Sequence, residues 1–557
     1  MRNYIKLFSI FLFTGLAFTA CETTDLDGQI SPNDLAADQA DPNLLLNSIQ
    51  LAYGSNQQIL HDNADDLTRI GYFNNRDYFA GLPGNTLNGV WSRVYSSGTN
   101  LAGEITSTVG ILTNLQAIES INAESDTDYS FHEGVAKVLY AHSLLQLVDF
   151  LGGAAFSEAG NAVEFPAPAF DSGADAYASA LTLLDEAEPL LAADTDPLGA
   201  TDIYYNEDTE KWIKLINTLR LRTYFLTGNT AAFDAVIAGD NFISEIDDDF
   251  QLQYGTSELQ PDDRHPDYID GYTPSGNGEE YRSNWLMNKM LVNNDPRRFY
   301  YFYRQQDATP GADAPADEET LVCSFVVPPP HYDGFIYCSV PEGYWGRSHG
   351  NDEGGPPDNF LTAAPGVYPA GGKYDDSAFG VVGLGEGGGG AGIEPIMLAS
   401  YVDFWRGAMT TSDTEKASFL RAGLEKSIEK VQSFGAKDGE ADLSTEPDEA
   451  AVTAFVDGVI ADFNAAAAGE DKENIFAEQF WVALYGGATE SYNYYRKTGF
   501  PTTLAPNWEP DPGPFPRTLL LPENEVINNP NLSQRTDLTT QVFWDTNPAS
   551  PTFPPAN

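Results

Sequence analysis

The sequence predicts a mainly α-helical protein. Tetratricopeptide-like helix pairs occupy about 88–228 and 396–498, and a long loop-rich insertion, about 250–395, lies between them. Three observations carry this expectation. Long segments repeat apolar residues every three or four positions, the mark of a helix with one buried face. Helix pairs recur at roughly 34–45-residue spacing, although the tetratricopeptide consensus itself is absent. The middle of the chain is dominated by Gly, Pro, Asn and Asp, which punctuate loops.

Residues 1–20 read as a lipoprotein signal peptide. Arg2 and Lys6 are basic, and the apolar run 7–18 is too short to span a bilayer. Thr19 and Ala20 are small and precede Cys21, a pattern like a bacterial lipobox. The implied chemistry is acylation of Cys21 and cleavage before it, which gives a stable membrane anchor. Residues 21–42 are acidic with two prolines and read as a flexible tether. Residues 43–557 are expected to form a single domain.

Within it, residues 43–53 form a first short helix, and 72–88 read as an exposed loop. A helix enters at Gly89 and continues through Leu101 and Ile105 to Ile118. The segment 130–150 puts Phe131, Val135, Val138, His142, Leu145 and Asp149 on one helical face. The segment 174–191 does the same with Tyr177, Ala180, Leu184, Ala187 and Leu191, with Pro189 able to kink or end its last turn. Residues 208–226 repeat Trp212, Leu215, Leu219, Arg222 and Leu226.

The insertion holds one short helix, 281–291, and β-like runs at 325–327 and 335–337. Cys323 and Cys338 flank a Pro-rich turn. That reads as a hairpin or Ω-loop closed by a disulfide, contributing about 3 kcal/mol in the loop-entropy picture. Helices resume at 396–409, 414–434 and 448–464. The stretch 476–501 starts as a helix through Phe476, Phe480, Ala483, Leu484 and Gly487. It becomes an aromatic run and stops at Gly499 and Pro501.

Charge narrows the function. The chain carries 29 Lys+Arg against 82 Asp+Glu, a net charge of -53. Binding nucleic acid by phosphate neutralisation is thereby disfavoured, as is a polybasic membrane patch. No catalytic constellation emerges. Gly383-x-Gly385-x-x-Gly388 is followed by Gly389, Gly390 and Pro395 instead of a helix, so it reads as a loop and not a dinucleotide site. His132-Glu133 meets Ala136 where a zinc protease needs its second His. Asp194-x-Asp196 with Gly199 starts like a Ca²⁺ loop, but Leu198 and Tyr205 stand at ligand positions. No cofactor is called for and no metal site is nominated. Ca²⁺ stays open, because 82 acids cannot single out a ligand set.

What stands out is aromatic density outside the clear helices. Sugar rings offer C–H faces to Trp and Tyr, while Asn, Asp and Arg bond their hydroxyls. Tyr72, Asn75, Arg76, Tyr78, Trp91, Tyr344 and Trp345 form the expected ligand platform.

Several segments together resemble the SusD/RagB family of Bacteroidetes outer-membrane lipoproteins. They are Cys21 with its acidic tether, LNGVWSRVY (87–95), YAHSLLQLVDFLGGAAFSEA (140–159) and KWIKLINTLRLRTY (211–224). In the 140–159 segment, Gly152-Gly153 and Ala155 stand where the family's turn carries a Pro. Stronger still are EGYWGRSHGND with PPDNFLTAAPGVYPAGGKYD, and EQFWVALYGG…YNYYRKTGFP followed by RTLLLPENEVINNPNL. The resemblance implies a scaffold of four tetratricopeptide-like units and a ligand site in the loop-rich region. It implies a lipid-anchored cell-surface protein that binds oligosaccharide and passes it to a SusC-like TonB-dependent transporter. It also implies that the protein is not an enzyme. Some relatives carry peptides; a surface glycoside hydrolase is the remaining alternative class.

Overall fold

A computed structural model describes residues 40–95, 110–193, 196–274, 281–310, 312–313, 322–352 and 361–553. The signal peptide, Cys21 and the tether to residue 39 lie outside the described residues. All elements below belong to the compact unit Pro42–Asn557.

The first helix, α1 (Pro42–Thr68), runs 27 residues, far beyond the short helix read at 43–53. Its second half is polar, which hides its periodicity. Gln57, His61 and Thr68 among them are nonetheless buried, because other elements satisfy them. Gln57 Nε2 donates to Gln146 Oε1 at 2.9 Å, and His61 Nδ1 meets Glu394. The helix expected from Gly89 to Ile118 is instead broken. One helix, α2, is Asn88–Tyr95; another, α3, is Ile111–Glu124 and starts after Gly110 in extended backbone. Leu101 and Ile105 lie outside the described residues.

The helix α4 (Ser130–Leu151) is buried on nearly every side, since it packs on α1, α3 and the next helix at once. Gly152 ends it in the left-handed region, at φ 76°. Then α5 (Gly173–Ala192), capped by Ser172, keeps Pro189 inside and continues to Ala192. Asp208 caps α6 (Thr209–Thr227), and Gly228 stops it. A further helix, α7 (Thr230–Gly239), follows, which the sequence reading did not separate.

The insertion begins and ends on one two-stranded antiparallel sheet, β1 (Phe250–Gln253) against β2 (Ile393–Met397). Its short helix α8 is Asn284–Val292, because Ser283 caps it; Tyr281 and Arg282 remain outside. The β-like runs at 325–327 and 335–337 form no strands. Pro328, Pro329 and Pro330 have no N–H to donate to a ladder, and 3₁₀ turns Val322–Phe325 and Pro330–Tyr332 take their place. Cys323 and Cys338 are bonded, with Cα atoms 5.7 Å apart, so the segment is a disulfide-closed loop and not a hairpin.

After β2 come α9 (Ala399–Met409), α10 (Asp413–Gln432) and α11 (Glu449–Ala465), the last two capped by Ser412 and Asp448. The stretch 476–501 divides into two helices, α12 (Glu470–Ala483) and α13 (Thr489–Thr498). Two glycines sit at the break. A Cβ on Gly487 would sit 2.4 Å from the Tyr401 hydroxyl, and Gly486 adopts φ 87°. α13 packs on α1 and α6, tying the end of the helical framework to its beginning.

That junction holds a sealed ionic cluster. Arg222 of α6 donates to Asp149 of α4 at 2.5 Å and to Glu490 of α13 at 2.6 Å, all three fully or almost fully buried. Asn493 and Trp544 also donate to Asp149, each at 3.2 Å. Burial pushes the Glu490 carboxyl up, and Arg222 opposes that. Among the described residues, no helix is long and apolar enough to cross a membrane.

Candidate functional site

Where α1 ends, the chain turns at Ile70 and Gly71 and passes beside the base of the insertion. The turn opens a cleft of about 220 Å³ lined by Asp62, Asp65, Asp66, Gly71, Tyr72, Asn74, Asp267, Tyr281 and Arg282. A narrower chamber of about 40 Å³ is lined by several of the same groups together with His61, His265, Glu394 and Tyr485.

Two rings form one wall. Tyr72 and Tyr281 meet edge to face, with centroids 6.0 Å apart. The Arg347 guanidinium lies 3.6 Å from the Tyr281 centroid and 5.8 Å from that of Tyr72, which holds both rings in place. Tyr72 donates to the Asn351 carbonyl. Burial raises its hydroxyl pKa although Arg347 pulls the other way, so it serves as a neutral donor. Opposite, Arg282 bonds Asp267 at 3.0 Å. Burial opposes the charge of Asp267, but Arg282 and His265 outweigh it and hold the carboxyl below its usual range. Burial pushes the Tyr485 hydroxyl up to about 12.

The loop carrying Arg347 and Asn351 also reaches a second aromatic group. The Trp508 backbone N–H donates to the His349 carbonyl at 2.7 Å. The Trp508 ring stacks on Tyr337 with centroids 4.5 Å apart and planes 3° apart, and both are half-buried. Tyr337 adjoins Cys338, so the disulfide fixes the chain directly beside it.

Of the expected platform, only part lies at this surface. Tyr72 lines the cleft, and Asn75 and Arg76 lie close by in the chain. Asn75 Oδ1 accepts from Asp77 N–H at 3.1 Å, and Arg76 holds Asp352 with two 2.7 Å bonds. Tyr78, Trp91, Tyr344 and Trp345 are corrections: they are core residues. Tyr78 is buried against Phe73 and bonds His349 Nε2 at 3.0 Å. Trp91 is 7% exposed, packs on Tyr95 and Phe170, and donates toward Glu525 at 3.3 Å. Tyr344 lies under Arg304, and Trp345 is 0% exposed beside Cys338. A ring without an exposed face cannot stack on a sugar in this conformation.

Sequence reasoning missed Tyr281, Arg282, Asp267 and the three aspartates. The aspartates carried a signal, since positions 62, 65 and 66 share one helical face. Tyr281 and Arg282 were assigned to a helix that Ser283 in fact starts later. Among the described residues, no three His, Cys, Asp or Glu side chains are grouped to hold a metal.

A larger groove, about 730 Å³, opens between α11 and α12. Phe455 is its one aromatic lining residue, and Glu478 beside it is already held by Lys289 at 2.5 Å. The cleft, with two rings and several polar groups facing one space, is the better ligand site.

Residues 46–314 match the SusD-like family described as "Starch-binding associating with outer membrane". Solved structures share the fold. A chitin-binding protein is 20% identical at a TM-score of 0.62, with 91% of this chain and 100% of its own aligned. A SusD/RagB family protein from Bacteroides thetaiotaomicron is 16% identical at a TM-score of 0.61, covering 91% and 100%. A chitin-binding SusD homologue from Flavobacterium johnsoniae is 16% identical at a TM-score of 0.55, covering 91% and 99%. No curated protein matches the sequence.

Proposed function

Over residues 46–314 this chain is a SusD-like protein, and from that premise we propose that it captures oligosaccharides at the cell surface and delivers them to a SusC-like TonB-dependent transporter. The observation that carries the binding step is the cleft with Tyr72 and Tyr281 on one wall and Asn74, Arg282 and carboxylates around it. Rings supply apolar faces and the polar groups fix hydroxyls, the division of labour a sugar site needs. The half-buried Trp508–Tyr337 pair extends this surface along the 347–351 loop. Acylation at Cys21 holds the protein on the outer membrane, and the protein binds without turning its ligand over.

The test is isothermal titration against a panel of oligosaccharides, with reducing-end release measured in parallel. Tyr72→Ala raises Kd about tenfold for the ligand that binds, about the worth of one aromatic contact, with little change in Tm. Reducing-end release abolished by one carboxylate substitution would sink the binding reading in favour of a hydrolase. Failure of the wild-type protein to co-purify with a TonB-dependent transporter from its own membranes would remove the delivery step.

A further inference from the structure

Resting on the oligosaccharide reading above, we propose that the Cys323–Cys338 disulfide is a positioning device for the ligand. It holds Tyr337 on Trp508 as a second sugar-stacking subsite, and opening it with a dithiol weakens binding through that pair.

The loop that the disulfide closes has little else to hold it. Among the described residues, its backbone hydrogen bonds close within 323–339, such as Tyr332 N–H to the Pro329 carbonyl at 2.8 Å and Phe335 N–H to the Tyr332 carbonyl at 3.0 Å. Pro328, Pro329 and Pro330 have no N–H to give. Burial does not fasten the tip either, since Phe325 and Val327 are 76% and 90% exposed. Two side-chain ties reach one short stretch. Tyr332 Oη donates to the Pro506 carbonyl and His331 Nε2 to the Trp508 carbonyl, each at 3.2 Å. The Tyr332 ring stands edge-on to both Tyr337 and Trp508. The loop is thus folded against Trp508, and the disulfide is its covalent closure.

The backbone at Cys338 shows what the closure holds. Cys338 is buried beside Trp345, and Asn284 Nδ2 donates to its carbonyl at 3.2 Å. It stands at φ 72°, in the left-handed region that a residue with a Cβ rarely adopts. Such a conformation persists where the surroundings over-determine it. Here it turns the chain between Tyr337 and Ser339 and so sets the direction of the Tyr337 ring. That ring lies 4.5 Å from Trp508 with planes 3° apart, and both are half-buried. A stacked pair with area left exposed offers an apolar surface to a sugar face. The cleft wall is held separately. Arg347 N–H donates to the Arg282 carbonyl at 3.0 Å, and Gly350 N–H to that of Phe73 at 2.9 Å. Opening the disulfide therefore releases the pair and leaves the wall in place.

The opening step is thiol–disulfide exchange. A thiolate of the dithiol attacks Sγ of the half-buried Cys323, and Cys338 leaves as a thiolate that takes up a proton. The second thiol of the reductant then closes onto the mixed disulfide and frees Cys323. Two electrons and two protons pass from the dithiol to the protein.

The experiment is titration of the detergent-solubilised full chain with maltohexaose, cellohexaose and the N-acetylglucosamine hexamer. The protein is used oxidised, reduced with dithiothreitol, and reoxidised. Reduction raises Kd about tenfold for the hexamer that binds, and reoxidation restores it. Circular dichroism at the titration temperature is the same in all three states. Trp508→Ala and Tyr337→Ala each raise Kd about tenfold in the oxidised protein, and reducing either variant then adds less than about twofold. Loss of support for the whole fold would not give that non-additivity. A further loss of about tenfold on reducing either variant overturns the positioning role and leaves the oligosaccharide reading standing. So does an unchanged Kd on reducing the wild type, or an unchanged Kd in both oxidised variants. A wild-type protein that binds none of the hexamers overturns both.

Discussion

The sealed cluster at the heart of the helical framework and the open cleft beside α1 use the same residue types to opposite ends. In the framework, Arg222 sits between Asp149 and Glu490, and Asn493 and Trp544 donate to the same carboxylates. Water is excluded, so each charge depends on its partners. In the cleft, Arg282 and Asp267 pair at 3.0 Å beside a space open to solvent that Asp62, Asp65 and Asp66 also line. Solvent makes the excess of acid tolerable there. Buried ionic groups thus lock helices together, and groups of similar chemistry at the cleft stay partly exposed.

The largest expected effect tests the closed side. Arg222→Met leaves two buried carboxylates facing each other and costs about 3–5 kcal/mol, read as a drop in urea midpoint with unchanged slope. Stability within 1 kcal/mol of wild type would mean that the cluster is wetter than it looks.

Trp345→Ala sharpens the contrast between core and site. Its ring is 0% exposed, so truncation costs roughly 3–5 kcal/mol as a cavity and lost contacts. The same measurement on Tyr72→Ala gives a much smaller loss. If Trp345→Ala stays as stable as wild type and only binding suffers, the ring belongs to the site after all.

The smallest effect is a pH dependence. Burial, with Arg222 and His61 adding to it, holds His142 well below the usual histidine pKa; burial and Arg69 do the same for His349. Both remain neutral in the folded protein while the unfolded chain binds protons near 6.5. Unfolding free energy therefore falls as pH drops below about 6.5, by up to about 1.4 kcal/mol per pH unit for each histidine. Urea midpoints between pH 7 and 5.5 check this above the range where most carboxylates titrate. A flat profile would show that water or counter-charges reach the two rings.

The helices of the framework were legible because apolar spacing, capping residues and stop glycines agree. Asp208 before α6 and Gly228 after it, or Gly152 after α4, mark ends that the structure keeps. Asp149 and Arg222 were even visible as polar intrusions on apolar faces, although their pairing was not. The second half of α1 was illegible because Gln57 and His61 are buried through partners 89 and 333 residues away, which no local pattern records. For the site, Tyr72 was found and Tyr281 was not. Trp345 was misplaced, since an aromatic in a Gly-rich loop looks the same in sequence whether the loop folds over it or leaves it bare.

By itself the sequence determined the helical class, the loop-rich insertion, the likeness to SusD-like proteins and the overwhelming negative charge. These follow from local periodicity, composition and short motifs, all of which neighbouring residues specify. Only the tertiary structure decided which aromatics face solvent, that α1 ends in a cleft, and that its aspartates meet Tyr281 and Arg282 there. Those are contacts between segments some 200 residues apart, and their register is set by the packing of α1, the insertion and α13 rather than by any one stretch of chain.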